Sequence, residues 1–297
     1  MESIEITLYR EGAGEPLTLD STGSSGGPLV LLAGVEGLGV APASWATSPR
    51  VAGHGSIVRA GRLEEREIFI PMLADTESSQ AYDTLMDRLS AHVSPLNPAP
   101  LVLRVRPAGR PEYREMRVRY KAGLDSLGST YRGGWGVIGL ELVAADALWS
   151  GPAEIVEKPI VPGSKPFLSA TVPFFPVKVA ESVILGQVAV EVRGDAPTFP
   201  RWTFSPPGSD LLLTSLDTGA QFQLLGTLTE PVTLDMGRSE LVSETKPLGE
   251  LWDAVPPERG AMFTLSPGRN VVGFSMVGAS AESVLRMEYR PQYLRGH

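Results

Sequence analysis

Two segments near the end of the chain decide its fold: Pro267-Gly-Arg-Asn-Val-Val-Gly-Phe-Ser-Met276 and Val284-Leu-Arg-Met-Glu-Tyr-Arg-Pro-Gln-Tyr-Leu294. Pro267, Gly268 and Asn270 are turn formers, and the run after them alternates in character. Small residues from Gly278 to Ser283 separate it from the second run, which stops at Pro291. Proline has no N–H to give to a ladder, so it ends a strand. The two runs predict a hairpin that closes an all-β domain.

Further runs lie upstream of that hairpin: Gln187 to Val192, Arg201 to Phe204, Leu211 to Thr214, Gln221 to Leu225 and Val232 to Met236. Short strands at roughly 8–12-residue spacing, with turn signals between them, predict an antiparallel β-sandwich. This second domain is expected over residues 167–297. Prolines 152, 159, 162 and 166 mark residues 150–166 as a semi-rigid linker.

Residues 1–149 read as a β-sheet domain with one helix. Ile4 to Tyr9, Leu29 to Leu32, Arg66 to Met72, Leu101 to Arg106, Tyr113 to Tyr120 and Val137 to Val143 are the expected strands. Tyr82, Leu85, Met86, Leu89 and Val93 recur at helical spacing. The helix is expected over about 76–93, capped by Asp75 or Thr76 and ended by Pro95. Glu11 to Asp20 reads as turns. From Val40 to Gly61 the chain is mostly Gly, Pro, Ser and Ala around Trp45. A loop of that length is unusual in a compact domain and is commonly functional or covered by a partner. Fold class is thus mainly β.

Composition narrows function. Apolar residues make up 42% and charged residues 20%, an ordinary globular mix. There is no cysteine, which excludes disulfides and thiolate zinc sites. Met1-Glu-Ser-Ile-Glu5 has no signal-peptide character, and no apolar run approaches the roughly 20 residues that span a bilayer. A soluble protein made in a cytosol, without membrane insertion, is expected. The net charge of −8 divides evenly, 14 basic against 18 acidic residues in 1–150 and 12 against 16 in the rest. Without a basic half, sequence-independent DNA binding is not expected. Arginine outnumbers lysine 21 to 5, which reads as a GC-rich genome.

No constellation carries catalysis. Gly23-Ser-Ser-Gly-Gly27 fits G-x-S-x-G, but no helix-forming segment follows it, and His54, His92 and His297 are the only histidines. Gly34, Gly37 and Gly39 follow a strand, yet the dinucleotide register fails at Pro42. Glu64, Glu65 and Glu67 beside Arg62 and Arg66 read as a solvated or intersubunit charge cluster. Arg104, Arg106, Arg117 and Arg119 alternate with Glu115, which predicts cross-strand or intersubunit ion pairs. No catalytic, metal or cofactor residue is assigned.

The ordered set of features resembles the distal tail (Dit) protein family of long-tailed bacteriophages. An N-terminal strand and a Gly/Pro-rich arm come first, then Arg66-Glu-Ile-Phe-Ile70 and a helix ending at Ser94-Pro-Leu-Asn-Pro98. Asp146-Ala-Leu-Trp149 marks the junction. Gly194-Asp-Ala-Pro-Thr-Phe-Pro-Arg201, Thr218-Gly219, Leu234-Asp235, Pro267-Gly-Arg-Asn270 and Glu288-Tyr-Arg-Pro-Gln-Tyr293 follow. That family shows Asp-Pro before its junction aromatic, so the local turn is expected to differ here.

The resemblance implies a non-enzymatic minor tail protein of the virion tail tip, made in the host cytoplasm. It implies a tail-tube-like first domain with a long arm and a galectin-like second domain. It further implies a homohexameric ring joining the tail tube to the tail-tip or baseplate hub. The tail tube protein, the hub and the tape measure protein are the implied neighbours, and DNA is a partner only in passage. Val40, Pro42, Trp45, Pro49, Arg50 and His54 are the candidate intersubunit arm. Two alternatives stay open: a tail-tube or baseplate adaptor subunit, and a carbohydrate-binding module touching host-surface glycan through Trp202 or Trp252.

Overall fold

The computed structural model describes residues 4–20, 27–107, 109–125, 133–159, 183–246, 249–280 and 282–297. In chain order the first elements are β1 (Glu5–Arg10), β2 (Ala13–Asp20), β3 (Leu29–Leu31), β4 (Ala43–Pro49), β5 (Ser56–Leu63), β6 (Arg66–Asp75), α1 (Ser79–Val93), β7 (Leu101–Arg106), β8 (Arg114–Gly123), β9 (Trp135–Ala144) and β10 (Trp149–Ser150). They are followed by β11 (Glu154–Pro159), β12 (Val183–Val192), β13 (Arg201–Phe204), β14 (Gly208–Ser215), β15 (Gln221–Leu228), β16 (Val232–Asp235), β17 (Glu240–Ser243), β18 (Gly268–Val277), β19 (Val284–Tyr289) and β20 (Gln292–Tyr293). The chain divides into two compact units, one of residues 1–152 with 292–297 and one of residues 153–291.

In the first unit, nine strands run in the order β20-β10-β8-β7-β1-β2-β3-β6-β9, and β8 also pairs with β9. That extra pairing closes the sheet on itself. Closure removes free edges. It becomes possible because the register slips between Tyr120 and Ala122, so Lys121 bulges and the strand bends. Alternation then decides the core. Ile6 and Leu8, Ile68 and Ile70, Leu103 and Val105, and Leu140 and Leu142 point inward together. Tyr82, Leu85, Leu89 and Val93 bring the helix stripe into the same cluster.

The helix begins three residues later than expected. Ser78 is the cap, its Oγ accepting from the Ala81 N–H at 3.2 Å. Thr76 is engaged elsewhere, donating to the Gly134 carbonyl. At the other end Arg10 collects carbonyls of the last helical turn and of the loop that follows it. It donates to His92 at 2.8 Å, Ser94 at 2.6 Å, Asn97 at 3.4 Å, and also to Ala99.

Two expectations for this unit change. Ala13–Asp20, anticipated as turns, pairs along β1 from Arg10↔Ala13 to Glu5↔Asp20. Gly14 and Pro16 hid the alternation of Leu17 and Leu19. The stretch from Val40 to Gly61 is an antiparallel hairpin, β4 on β5, not an irregular loop. Ser, Thr, Val and Ile suit strands even where nothing buries them.

The second unit is a sandwich of a five-stranded sheet, β11-β19-β13-β16-β17, and a four-stranded sheet, β12-β18-β14-β15. Both contribute to one core, which includes Trp202, Phe204, Leu213, Phe222, Met276 and Met287. The Pro267–Asn270 turn is held by Asn270 itself. Its buried amide accepts from Ser266 N at 2.8 Å and donates to the Ser266 and Gly268 carbonyls at 2.7 and 2.9 Å. Gly268 has φ +91°, which a side chain would strain.

Two boundaries also shift. Residues 154–159, anticipated as linker, form an edge strand paired with β19 from Glu154↔Tyr289 to Pro159↔Val284. Pro159 is tolerated there because it stands at the strand end. Residues 160–166 and the start of the anticipated second domain, 167–182, lie outside the described residues. Pro291 does end the closing hairpin, but Gln292–Tyr293 then pairs with β10 in the first unit.

Candidate functional site

The β4–β5 hairpin forms a two-stranded sheet of its own and joins none of the three larger sheets. Its turn uses Gly53 and Gly55 at φ +102° and +89°. Val40, Pro42, Trp45, Pro49, Arg50 and His54 are all exposed. Trp45 is 64% exposed, with Val51, Ile57 and Val58 also in solvent. Trp45 pairs with Gly61 across the hairpin, and its ring occupies the space a Gly61 side chain would need. At the base, Ser44 donates to Glu64, and Arg62 reaches the same carboxylate at 2.8 Å. The Ser44 bond, helped by Arg62, holds the Glu64 carboxyl below its usual range. The hairpin bonds its own backbone, so the expected need for a neighbour to satisfy those groups does not arise. What it leaves exposed is apolar surface.

A second exposed apolar surface lies on the outer face of β6 and β9. Phe69 is exposed and Leu73 half-buried on β6, with Pro71 buried between them, and on β9 Trp135 and Val137 are exposed and Gly139 half-buried. The register aligns Leu73 with Val137 and Pro71 with Gly139. Phe69 leans over Gly139, where a side chain would collide with its ring. At one end Lys121 bridges Glu67 at 2.7 Å and Glu141 at 3.6 Å. Its ammonium is held above the usual lysine value, first by the Glu67 bond.

Three of the four arginines singled out on β7 and β8 make ion pairs. Arg104 meets Glu115 at 3.0 Å, Arg106 meets Glu5 at 3.6 Å, and Arg117 meets Glu11 at 3.1 Å. Glu115 is only 6% exposed, a burial that alternation did not signal. Tyr9 donates to it at 2.8 Å, and Arg104 lies over the Tyr9 and Tyr113 rings. Burial, then the Glu115 bond, pushes the Tyr9 hydroxyl up to about 12.

Sequence reasoning missed Arg66, expected on a charged surface. It is 1% exposed and faces no carboxylate. It donates to Gly37 at 2.9 Å, Gly39 and Ala147 at 2.6 and 2.5 Å, and Leu294 at 3.3 Å. Its guanidinium lies 5.5 Å from the centre of the Trp149 ring. Burial alone draws its pKa down from the ordinary value. One signal was available: Arg66 has the same parity as Ile68, Ile70 and Met72, the inward face.

Trp202 is wholly buried, with its ring stacked at 6.5 Å on Phe204, so it presents no surface to a sugar. β13 is central in its sheet, which puts its inward residues in the core. Trp252 is half-buried and meets Phe222 edge-on at 6.2 Å. A shallow groove of about 390 Å³ crosses the outer face of the four-stranded sheet, between Gln187, Leu212, Thr214 and Ser275. Neither tryptophan lines it. Ser24 and Ser25 lie outside the described residues. Among the described residues, no group of three or more His, Asp or Glu side chains is placed to hold a metal. Among the described residues no helix is long and apolar enough to cross a membrane.

No family model matches the sequence, and no curated protein matches it. Solved structures do match in fold, among them a phage hub protein and a phage baseplate. The SPP1 Dit protein, described as a paradigm of the hub adsorption apparatus in Gram-positive infecting phages, aligns over 97% of this chain and 98% of its own, with a TM-score of 0.62 at 12% identity. The phage P2 baseplate in its activated conformation with Ca aligns over 97% and 98%, with a TM-score of 0.52 at 9% identity. Its form with Sr aligns over 94% and 99%, at 0.50 and 10%. This chain therefore has a mainly-β Dit-like fold across both units.

Proposed function

We propose that this chain is a structural subunit of a phage tail tip, assembling into a homohexameric ring between the tail tube and the baseplate hub. The likeness to SPP1 Dit over nearly the full length of both chains carries this reading. A hairpin arm with Trp45, Val51 and Val58 in solvent supports it, because an exposed apolar element is what a heterologous contact between copies requires. The ring leaves a channel for DNA. A net charge of −8 suits a wall along which phosphate must slide without sticking. The tube protein, the hub and the tape measure protein are its neighbours, and its place is the virion rather than a membrane. It performs no catalysis.

The experiment is the solution mass. A ring of six 31.7 kDa chains weighs about 190 kDa and gives six-fold class averages with a central hole. A protein that stays at 31.7 kDa at every concentration, alone and with its tail neighbours, overturns the ring.

A further inference from the structure

The apolar face of β6 and β9 and the β4–β5 hairpin are complementary in three respects. The first is apolar character. Phe69, Trp135 and Val137 are 36%, 40% and 38% exposed on the face. The hairpin offers Trp45, Ile57 and Val58. The second is charge. Residues 40–63 contain three arginines and no carboxylate, within a chain of net charge −8. Arg50 and Arg59 have no ion-pair partner among the described residues, whereas Arg62 is taken by Glu64. The face is fringed by Glu36, Glu67 and Glu141, with Lys121 as the cation of that cleft. The third is size. β6 and β9 are ten residues long, about 33 Å, which exceeds the seven- and eight-residue strands of the hairpin.

The hairpin needs such a partner. An isolated two-stranded ribbon is marginal in water, and this one exposes large apolar side chains that a third layer would bury. We infer that the outer face of β6 and β9 receives the β4–β5 hairpin of a second copy of this chain, with Arg50 and Arg59 meeting its acidic fringe. The inference rests on the ring proposed above and names the receiving surface. Because the fringe contacts are rim charges, they steer and register the arm, and the apolar centre holds it.

The chain has no cysteine, so a cross-link is unambiguous. One preparation carries Ile57→Cys in the arm and another carries Val137→Cys on the face. Mixed and treated with a short bis-maleimide, they should give a covalent dimer that neither gives alone. Charge reversal is the second test. Arg59→Glu should raise the concentration needed for assembly about tenfold, and Glu67→Arg in the same chain should restore it. Full-size rings with no arm-to-face cross-link and no rescue overturn the receiving surface and leave the ring intact. A monomer in every preparation, wild type included, overturns both.

Discussion

Arg66 Nη2 donates to the carbonyl of Leu294, 228 residues further along the chain. The same side chain holds Gly37, Gly39 and Ala147, so one guanidinium ties together the approach to the arm, the junction and the returning tail. It answers carbonyls rather than a carboxylate, and five rigidly arranged donors suit that task. Arg66→Met leaves these carbonyls buried without a donor. We expect a loss on the order of 3 kcal/mol, read as a lower urea midpoint at unchanged slope. Arg66→Lys should recover only part, because one ammonium cannot span the set.

Trp202 and Trp252 should separate cleanly. Trp202→Ala empties a wholly buried site and should cost about 3–5 kcal/mol, seen as an early unfolding transition of the second unit. Trp252→Ala loses a half-buried edge contact and should cost about 1 kcal/mol. A glycan array with the Trp252→Ala protein tests the carbohydrate reading without unfolding the unit. Binding lost there with the fold intact would revive it.

Trp45 lies on Gly61, so a branched side chain at that position must push the ring away. Gly61→Val should leave the unfolding midpoint within about 0.5 kcal/mol, since the hairpin stands apart from both cores. Assembly should suffer, with a loss of about 1–2 kcal/mol per contact, near tenfold in concentration. Light scattering against concentration measures it. A Gly61→Val protein that assembles like wild type would free Trp45 from any interface.

His92 gives a pH signature. Burial is the main cause holding its imidazole below the ordinary value of 6.5, with Arg10 and Arg88 adding to it and a Leu8 carbonyl bond opposing it. The lowered pKa means the unfolded chain binds the proton more readily. Stability is therefore complete above 6.5 and falls as pH drops through that value towards the folded pKa. Carboxylate effects begin lower, since Glu64 and Glu230 are held below 4.5. Urea midpoints between pH 7.5 and 5.5 should decline for wild type and stay flatter for His92→Gln.

Most strands were legible because burial in this chain follows a two-residue period. Ile68, Ile70 and Met72 announce β6, and the Gly/Pro punctuation announces the sandwich. Legibility failed where composition and environment diverge. Gly14 and Pro16 disguised β2, and the hairpin disguised itself as a loop because no core dictates its pattern. Closure of the first sheet depends on a bulge at Lys121, which no local signal gives. The segment from Val40 to Gly61 stood out in the sequence by composition, but the face on β6 and β9 did not. Phe69 and Val137 look like any half-buried strand residue until the register aligns their strands.

The first unit is assembled from two separated stretches of chain, and this sets an order of events during synthesis. Trp149 is wholly buried, Gly296 packs against its ring, and the Gly296 N–H donates to the Leu38 carbonyl at 2.7 Å. The first unit is not complete until residues 292–296 have been translated, because β20 is its last strand. Domains ordinarily fold as they emerge, N-terminal parts first. Here the second unit, though later in sequence, has all its strands before the first unit has its last. A nascent chain thus keeps the Trp149 side of its first unit unfinished until Gly296 has been made.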